Sequence, residues 1–287
     1  MKKYIKLLRV KSYIKNVLIL IPMVFGKQLF DVTILPNTVW GILSFCALSS
    51  AVYIFNDLCD VKSDKIHPVK CKRPIASGEI SRKSAIITMI ILLIICTVTN
   101  YFASRVSSSA WLLILIYLVQ NILYSLKLKQ VPVLDVAILA SCFLIRVFYG
   151  SAILGISVSN WLYLTIIAIS FYIGFGKRRN ELALLDGHET RAVLSHYTYD
   201  FLDKNMYVCA ALTIVFYSLW SVDSTTIQNL GNNYMVWTVP LIILICITYS
   251  LSVEKCKTDD PIDILFQNKI LMLLVAIYAG CMVAIIY

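Results

Sequence analysis

Long apolar runs separated by short polar connections set the pattern of this chain. Runs of near-spanning length fall at 13–30, 38–55, 84–103, 108–126, 131–152, 159–176, 207–222, 233–252 and 268–287, and about 20 helical residues cross a bilayer. The pattern predicts an all-α fold: a polytopic membrane helical bundle of about nine transmembrane helices around a central cavity, with residues 1–287 as a single domain. The runs at 13–30, interrupted by Pro22, and at 207–222 are the weakest. Two connections break the rhythm, each about thirty residues long: Asn56 to Lys83 and Lys177 to Met206. Polar loops of that length are functional or disordered. These carry patterned charge and few Gly, Ser or Pro runs, which predicts ordered, helix-containing caps at 56–83 and 177–206 that face each other. One follows the second span and the other the sixth, a spacing that suggests a structural repeat of four helices.

Composition agrees with the pattern: 59% of residues are hydrophobic and 15% charged, with a mean hydropathy of +0.79, outside the range of ordinary soluble domains. Charge then chooses an orientation. Alternating the connections from a cytoplasmic N-terminus gathers Lys2 to Lys15, Lys62 to Lys83, Lys127 with Lys129, Lys177 to Lys204, and Lys255 with Lys257 on the inner side. Only Lys27 and Arg105 fall outside, and basic residues mark the cytoplasmic side. The net charge of +10 is therefore explained by a basic inner face and anionic lipid headgroups, and no nucleic-acid partner is expected. No cleaved leader is expected either, because the first run lacks a small-residue cleavage site. The nine cysteines and three histidines form no C-x-x-C or closely spaced histidine pair, so they predict packing roles rather than a zinc site.

The chemistry concentrates in Asn56-Asp57-Leu58-Cys59-Asp60-Val61-Lys62-Ser63-Asp64, three carboxylates in eight residues where the 38–55 run ends. A helix continued through it at about 100° per residue would gather Asn56, Asp57, Asp60 and Asp64 within an arc of about 100°. A hard cation with oxygen ligands neutralises a diphosphate and lets it leave, so Mg²⁺ is the expected cofactor, one ion or two. A solvated acidic helix end is the other reading of the same spacing. Two prolines and a glycine in the stretch from His67 to Gly78 turn the chain back. Lys70, Lys72 and Arg73 then approach the carboxylates, either as ligands for phosphate oxygens or as plain inner-face charge.

The second cap offers Lys177, Arg178, Glu181, Asp186, Glu189, Arg191, Asp200 and Asp203. The mixture reads as helix-surface ion pairs or as a less regular second acidic group. Arg146 lies eleven residues after Asp135, roughly 16 Å along a helix, which puts a guanidinium near mid-bilayer. Such a residue needs a polar partner, and either a substrate phosphate or an internal ion pair would supply one. The depth favours the ion pair.

The order Arg9…Lys15-Asn16, Asn56-Asp57-x-x-Asp60-x-x-x-Asp64, Arg73-Pro74-Ile75-Ala76-Ser77-Gly78 and Tyr124-Ser125-x-Lys127 resembles the UbiA superfamily of intramembrane prenyltransferases over nearly the whole chain. Within it, the stretches His67-Pro68-x-Lys70-x-x-Arg73-Pro74, Leu134-Asp135, Phe143-x-x-Arg146-x-x-x-Gly150, Gly176-Lys177-Arg178-x-x-Glu181-Leu182 and Arg191-x-Val193-Leu194-x-x-Tyr197 are similar to the decaprenyl-phosphate phosphoribosyltransferases. Aromatic prenyltransferases of the superfamily carry a second D-x-x-x-D motif in the later loop, whereas this loop offers Lys177, Arg178, Glu181 and the spacing Asp186…Glu189.

The resemblance implies a membrane-embedded transferase: Mg²⁺-dependent transfer of 5-phosphoribosyl from phosphoribosyl diphosphate to a polyprenyl phosphate, releasing pyrophosphate, in cell-wall precursor synthesis. The alternative keeps the metal and moves a prenyl group from a polyprenyl diphosphate to an aromatic acceptor. Under the first reading Asp57, Asp60 and Asp64 are catalytic and, with Asn56, bind the metal. Lys15, Asn16, Asn56, Lys70, Lys72, Arg73, Tyr124, Lys127, Arg146, Lys177, Arg178 and Glu181 bind substrate. The expected setting is a bacterial plasma membrane with the active site facing the cytoplasm, and the oligomeric state stays open, a homo-oligomer included.

Overall fold

The computed structural model describes residues 2–66, 69–184, 192–255 and 261–287, and no strand occurs among them. In chain order the helices are α1 (Lys2–Leu8), a 3-10 segment Val10–Leu20, α2 (Ile21–Phe25), α3 (Leu35–Cys59), α4 (Val61–Ile66), α5 (Arg82–Ala103), α6 (Ser109–Leu126), α7 (Leu134–Leu154), α8 (Asn160–Leu184), α9 (Tyr199–Val222), α10 (Ser224–Leu230), α11 (Val239–Lys255), α12 (Pro261–Gln267) and α13 (Lys269–Ile286). Seven stretches among the described residues are long and apolar enough to cross a membrane: α3, α5, α6, α7, α9, Tyr234–Lys255 and α13. The chain is an integral membrane protein.

The expected nine spans depart from this in two places. The run at 13–30 is not one helix: its first part is the 3-10 segment, its second the five-residue α2. A 3-10 run of eleven residues is unusual, since such helices rarely exceed three or four residues. α8 does contain the expected 159–176 run but continues through Lys177-Arg178-Arg179-Asn180-Glu181 to Leu184. The expected cap 177–206 is therefore largely helix at both ends, because α9 already begins at Tyr199, capped by Thr198 accepting from the Phe201 amide.

The chain divides into two compact units. The first comprises Met1–Val24, Gln28–Val131 and Ile145–Ser157. Its α3 is the most enclosed of the spans, and its buried face includes Phe45, Leu48, Ala51, Val52 and Ile54. The ring of Phe45 packs on Tyr117 and Tyr149, 4.8 and 5.2 Å between centroids. Gly150 of α7 lets that helix touch the 3-10 segment, since a Cβ there would meet the carbonyl oxygen of Ile19. Near the C-terminal end of α3 a small core of Leu7, Ile54, Val61, Ile75, Ile80 and Ala85 ties down the turn that follows α4. Burying such side chains stabilises by roughly 1.5–3 kcal/mol each.

The second unit comprises Phe25–Lys27, Pro132–Leu144 and Val158–Tyr287. Its core joins Val136 of α7 to Tyr172 and Phe175 of α8, Leu202 and Met206 of α9, Tyr249 and Val253 of α11, Ile264 and Leu271. Tyr172 donates from inside this core to the Cys246 carbonyl at 2.6 Å, so its hydroxyl is not left unmet in an apolar setting.

Candidate active site

In the first unit the acidic segment is not one continuous helix. α3 ends at Cys59, Asp60 turns out of helical geometry at φ −93° and ψ 5°, and α4 restarts at Val61. The break divides the carboxylates into two settings. Asp57 and Asp64 are buried and converge on Arg73, whose Nη1 lies 3.0 Å from Asp57 Oδ1 and 2.7 Å from Asp64 Oδ2. Asp60 instead pairs with Lys129 and accepts from the Asn56 amide at 3.1 Å, while Asn56 Oδ1 accepts from Ser125 at 3.2 Å. The arc expected of Asn56, Asp57, Asp60 and Asp64 is thus realised by Asp57 and Asp64 alone.

Two arginines meet this pair from different parts of the chain. Arg73 follows the short 3-10 turn Lys70–Lys72, and its backbone is fixed by the Ser77 amide donating to its carbonyl at 2.8 Å and by the Ile80 amide donating to Pro74 at 2.9 Å. Burial of Ile75 and Ile80 holds that turn against Ile54 and Val61. Arg9 sits between α1 and the 3-10 segment in left-handed geometry, φ 52° and ψ 48°, a conformation that costs a non-glycine residue on the order of 1–2 kcal/mol. Its Nη2 donates to the same Asp57 Oδ1 at 2.5 Å, and its guanidinium lies 5.0 Å from the centre of the Tyr53 ring. Backbone strain of this kind persists where surrounding contacts impose it. Here the preceding Leu8 carbonyl accepts from Ser50 at 2.8 Å.

Whether these side chains fit a divalent ion is tested by what Arg73 does. A single nitrogen lies within hydrogen-bond distance of two carboxylates from different helices, so Asp57 and Asp64 are already arranged around one cationic point. Both are hard oxygen donors of the kind Mg²⁺ takes. Among the described residues no third His, Cys, Asp or Glu joins them to make a three-ligand group. The donor set therefore fits an ion held by two carboxylates, with its remaining positions for water or phosphate oxygens, as Mg²⁺ sites commonly have.

The other expected ligands of this unit fall into two sets. Lys70 is half-buried on the turn beside Arg73, and Lys72 and Lys127 are exposed. Tyr124 and Lys15 are half-buried. Asn16 and Arg146 meet each other deep in the unit: Arg146 Nε donates to Asn16 Oδ1 at 2.9 Å and Nη2 to the Tyr117 hydroxyl at 3.0 Å. The guanidinium also lies 5.1 Å from the Phe45 and Tyr117 ring centres. Asp135, the other charge on α7, is taken up by Arg178 instead, so the pairing of charges along α7 is not the one that supports Arg146.

In the second unit Arg178 is fully buried. Its Nε lies 2.5 Å from Asp135 Oδ2, and its Nη1 pairs with Glu181 one helical turn on. Tyr197 donates to Asp135 Oδ1 at 2.6 Å and accepts from the Val133 amide at 2.6 Å, holding Val133 at φ 67°, an outlier for a β-branched residue. Burial first, then the hydrogen bond to Asp135, pushes the Tyr197 phenol well above its ordinary range, so it stays a donor. Arg179 pairs with Asp203 at 2.5 Å. Lys177 is half-buried. Asp186, Glu189 and Arg191, like His67 and Pro68, lie outside the described residues.

The sequence reading did not single out Lys129 or Ser125 as site residues, and gave Arg9, Asp135 and Tyr197 no role of their own. Lys129 has no distinguishing signal: it stands two residues after Lys127 in a basic stretch, and only the 3-10 turn Leu128–Gln130 decides which lysine reaches Asp60. Residues 19–275 match the family model described as the UbiA prenyltransferase family. The chain is 30% identical over 288 residues to the decaprenyl-phosphate phosphoribosyltransferase of Corynebacterium glutamicum, covering 99% of this chain and 86% of that protein. It is 27% identical over 296 residues to the enzyme of the same name from Mycolicibacterium smegmatis, covering 99% and 92%. Among solved structures, a UbiA homologue from Archaeoglobus fulgidus bound to GPP and Mg²⁺ superimposes with a TM-score of 0.72 at 21% identity, over 99% of both chains.

Proposed function

The chain belongs to the UbiA prenyltransferase family, a membrane-embedded transferase, and on that footing we propose that it transfers 5-phosphoribosyl from phosphoribosyl diphosphate to a polyprenyl phosphate. The bond from the anomeric carbon to the diphosphate breaks, the electron pair leaves with pyrophosphate, and a new bond forms to an oxygen of the lipid phosphate. The observation that carries the diphosphate half of this reading is the convergence of Asp57 and Asp64 on a single cationic point, Arg73 Nη1, with Arg9 on the same Asp57 oxygen. The near full-length likeness to decaprenyl-phosphate phosphoribosyltransferases supports the choice of donor and acceptor.

Asp57 and Asp64 would hold Mg²⁺, which when bound draws negative charge off the leaving diphosphate. Arg9 and Arg73 neutralise phosphate oxygens by charge-assisted hydrogen bonds, the arginine fork suiting a phosphate. Lys70 and Lys72, on the turn beside Arg73, extend that positive surface to the donor's 5-phosphate. Asp60, held by Asn56 and Lys129, keeps the end of α3 in register with α6 and places Lys129 toward the same anions. Lys177, at the charged end of α8, is the proposed phosphate ligand of the second unit. Arg178 and Glu181 act there as positioning residues, because each is buried and ion-paired. The acceptor phosphate is anionic at neutral pH, so attack needs no strong general base. The basic connections support a cytoplasmic setting for the reaction.

The test is a transfer assay with the purified protein, radiolabelled phosphoribosyl diphosphate, Mg²⁺ and decaprenyl phosphate. Label is expected in a lipid-extractable phosphoribose product. Transfer of a prenyl group from a polyprenyl diphosphate to an aromatic acceptor, with no phosphoribosyl lipid formed, would replace this reading by the aromatic one.

A further inference from the structure

We propose that Arg73 is a displaceable internal cation: it bridges Asp57 and Asp64 until a divalent ion takes that position, and the released guanidinium then meets the donor's phosphates. The proposal rests on the reading of Asp57 and Asp64 as ion ligands, and is independent of which diphosphate is the donor. Its basis is one nitrogen, Arg73 Nη1, 3.0 Å from Asp57 Oδ1 and 2.7 Å from Asp64 Oδ2. An ion bridging the same two oxygens, Asp57 Oδ1 and Asp64 Oδ2, would occupy the place of this nitrogen, so the two exclude each other there.

Burial fixes the direction of release. The two carboxylate side chains are 3% and 5% exposed, whereas that of Arg73 is 24% exposed, so the guanidinium covers the carboxylates from the open side and has somewhere to go. The backbone beneath it is anchored by the Ser77 and Ile80 hydrogen bonds and by buried Ile75 and Ile80. Displacement therefore moves the side chain and leaves the charge nearby. Charge supplies the drive: two carboxylates and two guanidiniums are balanced, and a divalent ion added to them creates repulsion that the cation in the bridging position relieves by leaving.

Arg9 is as open to solvent, its side chain 27% exposed against 24% for Arg73, and differs in what holds it. Among the described residues it touches Asp57 but not Asp64, lies over the Tyr53 ring, and is held by a left-handed backbone, so it stays. Binding of ion and of anion should then be positively coupled, because the ion frees an anion-binding group and, by linkage, the anion favours the ion.

The experiment titrates Mn²⁺ into the detergent-purified full chain without donor, reading free Mn²⁺ by electron paramagnetic resonance, for wild type, Arg73→Gln and Arg9→Gln. Both substitutions remove one positive charge near the carboxylates, so Arg9→Gln measures the through-space effect alone. Competition predicts that Arg73→Gln tightens Mn²⁺ on the order of tenfold, within the usual range of coupling between sites, and by more than Arg9→Gln does. Equal tightening in the two variants, or weaker binding in Arg73→Gln, overturns the proposal. Wild type without Mn²⁺ binding would overturn the ion-ligand reading beneath it as well, whatever the donor.

Pyrophosphate, the leaving group common to both donor classes, gives a second arm. Mn²⁺ should raise pyrophosphate affinity more in wild type than in Arg73→Gln, and equal enhancement in both would count against release of the guanidinium. The melting temperature supplies a reading that tolerates an unstable variant: Mn²⁺ should raise it more for Arg73→Gln than for wild type, and a smaller rise would again overturn the proposal.

Discussion

At Asp57 two guanidiniums donate to one carboxylate oxygen, which makes this side chain the point where substitution and ion binding bear most directly on one another. Asp57→Asn keeps the shape and removes the charge. Turnover is expected to fall by at least about 10²-fold, matching the several kcal/mol that metal-assisted charge stabilisation supplies. The fold persists, because both arginines reach solvent and Arg73 keeps Asp64. Steady-state rates beside a thermal melt check this, and near wild-type turnover would refute the assignment. Arg178 responds in the opposite way. Its guanidinium is fully enclosed between Asp135 and Glu181, so Arg178→Ala should cost about 3–5 kcal/mol by leaving buried charge unpaired, measured as lost thermal stability. A variant that melts like wild type but binds donor poorly would return Arg178 to the substrate. Sequence spacing identified that these residues carry charge, but it did not say which charges face one another. Glu181 was readable as a helix-surface partner of Lys177 four residues before it, whereas its pairing with Arg178, the reach of Asp135 to that guanidinium and the bond of Tyr197 to Asp135 follow only from packing.

Elements were more legible than contacts, because hydrophobic run length reports a span directly while a break within a polar stretch leaves a weaker trace. The apolar runs locate α3, α5, α6, α7, α11 and α13 closely, and they miss the polar first two turns of α9, which begins at Tyr199. They misplace the start of the chain, where Pro22, Lys15 and buried Asn16 sit in a 3-10 segment and a short helix, and they shorten α8, whose charged last turns read as loop. The break in the acidic segment at Asp60 was likewise invisible, since no proline or glycine marks it. One glycine does carry an element-level prediction. Gly150 lies against the Ile19 carbonyl, so Gly150→Ala must push the 3-10 segment from α7, costing about 1–3 kcal/mol as overpacking does. Arg9 immediately precedes that segment, so its shift should also weaken the Arg9–Asp57 contact. The expected outcome is a lower melting temperature together with a raised KM for the diphosphate donor, with kcat affected less. A melt unchanged from wild type would mean that the segment yields without strain.

Across the whole molecule, one of the expected polar connections belongs to each compact unit, and what the chain's charge pattern adds is the side of the membrane on which they lie. Basic residues crowd the N-terminal stretch and the connection after α4, while the connection between α5 and α6 holds only Arg105. Because lysine and arginine near span ends set orientation, Ser77 should face the cytoplasm and Ser108 the opposite side. Each is exposed, so a single cysteine at either position can be labelled in a chain whose nine native cysteines are replaced by alanine or serine. With sealed right-side-out vesicles, a membrane-impermeant maleimide is expected to label Ser108→Cys and spare Ser77→Cys until the vesicles are opened. The reverse pattern would put the Asp57–Asp64–Arg73 cluster on the outer face, where a phosphorylated sugar donor made inside the cell could not reach it. Orientation and donor therefore stand together: a cytoplasmic cluster is a precondition of the proposed reaction, and the labelling result decides it without measuring turnover at all.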